Sequence, residues 1–209
     1  RGLGDVYKRQ PAERARVLHA AAERFSREAG RIAGTTAREA LGPAIDRFRK
    51  AVLPIGTGES QIGAERLLLS QPDPFGIVAL ACPAEAALMA PLSLLLPLLA
   101  LGNRVVMLPS PRDPQPAIGL ALLLAGAGLP SGTVSVISGD RDALLPPLAA
   151  YDAVDAVWCF GTSELAAHAE GTAALSLKPV LARDGGRIDW TSREMDGSWL
   201  LHAAGRERS

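Results

Sequence analysis

Two rhythms of apolar and polar positions divide the chain. In PAERARVLHAAAERFSREAGRIA (residues 11–33), Ala15, Leu18, Ala22, Phe25, Ala29 and Ile32 recur at helical intervals with charges on the opposite face, which predicts an amphipathic helix. Residues 35–53 read as a second helix, with Ile45, Phe48 and Val52 on one face and Pro54 as its stop. GTGESQIG (56–63) reads as a loop and RLLLSQ (66–71) as a short strand. From residue 72 the rhythm changes. Apolar runs GIVALAC (76–82), RVVML (104–108), TVSVIS (133–138), AVDAVWCF (153–160) and KPVLA (178–182) alternate with helical stretches over 86–101, 117–127, 141–150 and 163–174. The runs are β-branched and lack polar alternation, so both faces are expected to be covered, as in a parallel sheet. The expected fold is α/β, a Rossmann-like doubly wound parallel sheet of about five strands preceded by N-terminal helices.

The expected domain organisation follows the same boundaries. Residues 1–10 (RGLGDVYKRQ) resemble the in-frame translation of a transposase-type sequencing adapter and are set aside from the fold. Residues 11–71 hold the N-terminal helices and short strand, 72–186 the Rossmann-like domain, and 187–209 a tail with a short helix.

Composition removes several functions. Lys+Arg and Asp+Glu number 22 each, so no net field recruits nucleic acid or an anionic membrane. Aromatic residues make up 4%, too few for a base-stacking surface. The longest apolar run, residues 86–101, falls short of the roughly 20 residues a membrane span needs and contains Pro91 and Pro97, so it reads as a buried helix. Cys82 and Cys159 have no CxxC or Cys/His spacing, which argues against a disulfide framework or a zinc site. No secretory signal is evident, and the expected location is the reducing cytoplasm.

In a doubly wound sheet, ligands lie beyond the carboxyl ends of the strands. That rule singles out Cys82 and Pro83, Pro109 and Ser110, Gly139, and Gly161 and Thr162. GTSE (161–164) carries two readings. Gly161 allows a tight turn after a buried strand, and the helix N-terminus behind it suits a phosphate. Equally, every strand-to-helix turn needs a cap, and Thr162 or Ser163 supplies one. Cys159 sits between Trp158 and Phe160 and reads as a small core hydrophobe; a reactive thiolate needs an electropositive, partly exposed setting. Gly128-Leu-Pro reads as a helix C-cap and chain stop.

Five motifs occur in order. PFGIVALACP resembles PxGVVGxIxPWN, PLLALGNRVVMLPS resembles PALAAGNxVVxKPSE, and AGLPSGTVSVISGD resembles AGxPxGVxNVVxGx. VDAVWCFGTSE resembles VDxVxFTGSTE, and LKPVLARDGG resembles LKxVxLELGG. Together with a helix similar to ERAxLLxxAAxxL, they resemble the cofactor-binding domain of the aldehyde dehydrogenase superfamily over residues 12–186. The resemblance implies NAD or NADP as cofactor, with Cys82, Pro83, Pro109, Ser110, Gly139, Gly161 and Thr162 at its site. It also shows departures. Glu85 stands where the family has its oxyanion-hole asparagine, Leu108 and Pro111 replace the ribose-holding lysine and its acidic partner, and Arg183 replaces the general-base glutamate. The family nucleophile is a cysteine beyond the GG pair, and the 23 residues after Gly186 contain none.

The tail, with GRIDW at 186–190, resembles the end of the long two-unit aldehyde dehydrogenases, whose C-terminal unit is a degenerate copy. The leading expectation is a catalytically degenerate domain with a structural or oligomerisation role, as a homo-oligomer or beside an aldehyde dehydrogenase unit on the same chain, without nucleic-acid or membrane partners. Its rival is a truncated NAD(P)-dependent aldehyde dehydrogenase oxidising an aldehyde to a carboxylic acid. A third reading keeps phosphate or CoA binding at Gly161 and Thr162 without chemistry.

Overall fold

The structure, a computed structural model, describes residues 11–32, 40–52, 73–174, 176–192, 195 and 198–206. Expectations for residues 1–10, for the second helix before residue 40, and for residues 53–72 lie outside the described residues. Helices α1 (Pro11–Ile32) and α2 (Leu41–Val52) come first. Strand β1 (Asp73–Pro74) follows, then β2 (Ile77–Ala81), α3 (Met89–Leu101), β3 (Arg104–Leu108), α4 (Gln115–Gly126) and β4 (Val134–Val136). The chain continues through α5 (Arg141–Ala150), β5 (Ala156–Cys159), α6 (Ser163–Ala174), β6 (Val180–Ala182), a 3-10 turn (Gly185–Arg187), α7 (Ser198–Ala203) and β7 (Gly205–Arg206). Strands β4-β3-β2-β5-β6 form one parallel sheet in that order, and β1 pairs antiparallel with β7.

Because successive strand residues point to opposite faces, the apolar runs supply two cores. Val78, Leu80, Cys82, Val105, Met107, Trp158 and Phe160 face α1 to α4, where Leu18, Phe25, Phe48 and Leu120 meet them. Ala79, Ala81, Leu108, Val157 and Cys159 face α5 and α6. The second face is built of small residues, Ala149, Ala166, Ala169 and Ala173 among them, which lets those helices approach closely. All residues of α3 are buried, consistent with a sequence that is apolar except for Ser93. No helix among the described residues is long and apolar enough to cross a membrane.

The helix ends explain where the chain turns. Gly102, at φ 93°, ends α3, and the Asn103 amide donates back to Leu98 O at 3.0 Å. Asn103 is itself buried, and its side chain accepts from Gly76 N and donates to Leu98 O and Ala204 O. Gly128, at φ 99°, ends α4 in the same manner, as GLP suggested. Two buried arginines are satisfied in place, in keeping with the rule for buried polar groups. Arg14 Nε donates to Ala100 O, and Arg47 donates to Ser93 Oγ, Trp190 O and Ser192 O, tying α2 to the tail.

Several elements are shorter than the apolar runs suggest. The strand read over 133–138 is confined to Val134–Val136, since β4 lies at the sheet edge with a partner on one side only. The run 153–160 becomes a strand only at Ala156, because the Val154 amide closes a turn onto Tyr151 O. Helix α3 starts at Met89 rather than residue 86, where Ala86 takes a positive φ of 52°.

Candidate functional site

Strand β2 is the pivot of the sheet. It pairs with β3 on one side and β5 on the other, and the chain reaches β5 only after leaving β4 through α5. Strand order reverses there, so a crevice is expected at the carboxyl end of β2, between the loops that follow β2 and β5. All the residues singled out at strand ends lie on this edge, after β2, β3, β4 and β5.

Their polar groups are engaged within the protein. Ser110, 2% exposed, donates its hydroxyl proton to Ala84 O at 2.7 Å and accepts from the amides of Arg112 and Asp113. It locks the loops after β2 and β3 together, with Pro109 immediately before it. Gly139 precedes Asp140, whose carboxylate caps α5 by accepting from Asp142 N at 3.0 Å. Thr162 Oγ1 caps α6 by accepting from Leu165 N at 3.3 Å. Of the two capping candidates in GTSE, Thr162 does this work, whereas Ser163 Oγ donates to Asp184 Oδ2 at 2.7 Å. Gly161 O accepts from Gly185 N at 3.0 Å, joining the GTSE turn to the Asp-Gly-Gly turn after β6. A Cβ on Gly185 would lie 2.6 Å from Pro83 Cβ, so the β2 loop packs against that turn too.

Two residues of this edge escaped the sequence reading. Asp184 presents a carboxylate beside the N-terminus of α6; the Ser163 hydroxyl first, then the Gly186 amide and the Arg187 charge, hold its pKa below the usual value. Arg141 is 7% exposed, and its guanidinium Nη1 donates to Cys82 O. The available signal was its position: a cation in the first turn of a helix opposes the helix dipole.

Neither cysteine is poised as a nucleophile. Both are fully buried. Burial pushes the Cys82 thiol up to about 12, against a smaller opposing effect of the Arg141 charge. Burial likewise raises Cys159, partly offset by the Gly161 amide. In the folded protein at about pH 8, neither thiol is expected to react with Ellman's reagent, and both should titrate once denaturant is added. Rapid release of one equivalent from the native protein would contradict this placement.

The sheet order, its crevice and the order of motifs can be set against known proteins. The profile of the aldehyde dehydrogenase family matches residues 3–190. The chain belongs to that family. A probable aldehyde dehydrogenase of Mycobacterium tuberculosis (strain ATCC 25618 / H37Rv) is 30% identical over 194 residues, covering 86% of this chain and 38% of its own. A malonate-semialdehyde dehydrogenase of Pseudomonas aeruginosa is 32% identical over 178 residues, 78% of this chain and 36% of that enzyme. Among solved structures, methylmalonate-semialdehyde dehydrogenase from Oceanimonas doudoroffii superposes with a TM-score of 0.71 at 28% identity, over 85% of this chain and 39% of that one. A methylmalonate-semialdehyde dehydrogenase from Sinorhizobium meliloti 1021, assigned as such provisionally and complexed with NAD, gives 0.71 at 25% identity, over 85% and 39%. The chain thus spans well under half the length of these aldehyde dehydrogenases.

Proposed function

We propose that this segment is a cofactor-type domain of the aldehyde dehydrogenase family that no longer performs dehydrogenase chemistry. Its role would be structural, in an oligomer or beside a catalytic unit on the same chain. The observation that carries the reading is Arg183. It stands where the resemblance puts the general-base glutamate, and its guanidinium lies 5.4 Å over the Trp199 ring. A guanidinium stays protonated and has no lone pair for an incoming proton, so this position cannot activate a water.

Two further positions support the same reading. Glu85, at the place of the oxyanion donor, pairs with Arg112 at 3.0 Å, and a carboxylate there opposes a developing negative charge. Leu108, at the place of the ribose-holding lysine, is 1% exposed and belongs to the core beneath α5 and α6. With Leu108 apolar and the Arg141 guanidinium at the end of β2, the residues present do not fit NAD or NADP.

The second reading, a piece of an active NAD(P)-dependent aldehyde dehydrogenase, is favoured by length: the chain spans 38% of its M. tuberculosis relative. The complete coding sequence separates the two. A cysteine-bearing dehydrogenase unit upstream of this segment is the expected finding. A cysteine-bearing catalytic segment directly after Ser209, in the same unit, would overturn the proposal.

A further inference from the structure

The crevice holds a residue that none of the family motifs accounts for. Arg141 opens α5, the helix that carries the chain from β4 at the sheet edge across to β5 beyond β2. Its Nη1 donates to the carbonyl of Cys82, immediately after β2, while its Nε is buried without a hydrogen-bond partner. Its charge acts on both buried thiols, Cys82 after β2 and Cys159 at the end of β5. The guanidinium therefore lies at the carboxyl end of β2, beside which the sheet order reverses, the place a dinucleotide takes in this architecture. Among the described residues no carboxylate forms an ion pair with it.

We infer that Arg141 closes the nucleotide crevice from within: its side chain occupies the space at the carboxyl end of β2 and engages the Cys82 carbonyl, so that a dinucleotide is excluded. This rests on the proposed function, in which the crevice is unused. A cation in such a place also invites the opposite role, recruitment of a phosphate. Burial decides between them. Arg141 is 7% exposed and its Nε is buried, so little of the guanidinium is open to an incoming anion. The surroundings agree. Asp140 caps α5, Asp142 lies in its first turn, and Glu164 and Asp184 stand at the start of α6, so both helix N-termini already face carboxylates.

The test is calorimetric titration of NAD into the full chain, R141A and R141M. The unaltered chain and R141M, which keeps the bulk of the side chain, should take up no NAD, whereas R141A should bind at least about tenfold more tightly than either. A folded R141A that binds no better than the unaltered chain overturns the inference, as does an R141M that opens equally. Binding by the unaltered chain that R141A abolishes overturns it as well, because Arg141 would then recruit the ligand. If R141A does not fold alone, refolding with NAD present reads the same linkage: recovery of the native circular-dichroism signal supports closure by Arg141, and its absence overturns it. The two proposals fail differently. NAD uptake by the unaltered chain contradicts the proposed function, while a closed R141A removes only the role of Arg141.

Discussion

Trp158→Ala should destabilise the chain by about 3–5 kcal/mol, measured by denaturant unfolding. Trp158 is 1% exposed on β5, a strand paired on both sides, by β2 and β6. Its ring sits 6.3 Å from Phe160, and Phe160 sits 5.6 Å from Trp190, both edge to face. Removing it empties the largest fully buried side-chain volume on the face packed by α1 to α4 and ends one of these aromatic contacts. Helix α3, part of the same core, is buried along its whole length, so little collapse can refill the space. A loss below about 1 kcal/mol would mean that this face is loosely packed.

Gly185→Ala should cost as much or more, through backbone rather than cavity. A Cβ there would lie 2.2 Å from Phe160 O and 2.6 Å from Pro83 Cβ, neither the end of a flexible side chain. The turn cannot simply swing outward. Gly185 N donates to Gly161 O, and Gly185 O accepts from the Trp190 indole, both at 3.0 Å. The expected penalty is at least about 3 kcal/mol, at the upper end for overpacking, because hydrogen bonds are lost with the clash. Gly186→Ala is the control: its nearest neighbours are 3.4 Å away, ordinary contact, and it should be near neutral. Equal effects at the two glycines would contradict the packing of this turn onto the end of β5.

These sites also show what the amino-acid sequence makes legible. Strand β3 is found residue for residue because Asn103 and Pro109 bracket a β-branched run. Helices α5 and α6 start where read because Asp140 and Thr162 are capping residue types with local partners. The burial of both cysteines follows from their place at the ends of apolar strands. What stays hidden depends on contacts between distant segments. The edge position of β4 shortens a strand that looks longer in isolation. Arg141 meets Cys82 across 59 residues, and Asp184 meets Ser163 across 21, so no local pattern announces either. The strand-end rule and the family motifs point to the loops after β2, β3, β4 and β5, and only the structure shows how the polar side chains there are engaged.

The central claim is that this domain keeps the family fold while its dinucleotide site has closed. Isothermal titration of NAD and of NADP into the unaltered chain tests it most directly. No saturable heat at micromolar to sub-millimolar ligand is the predicted result, and a stoichiometric isotherm with a micromolar Kd for either dinucleotide would contradict it.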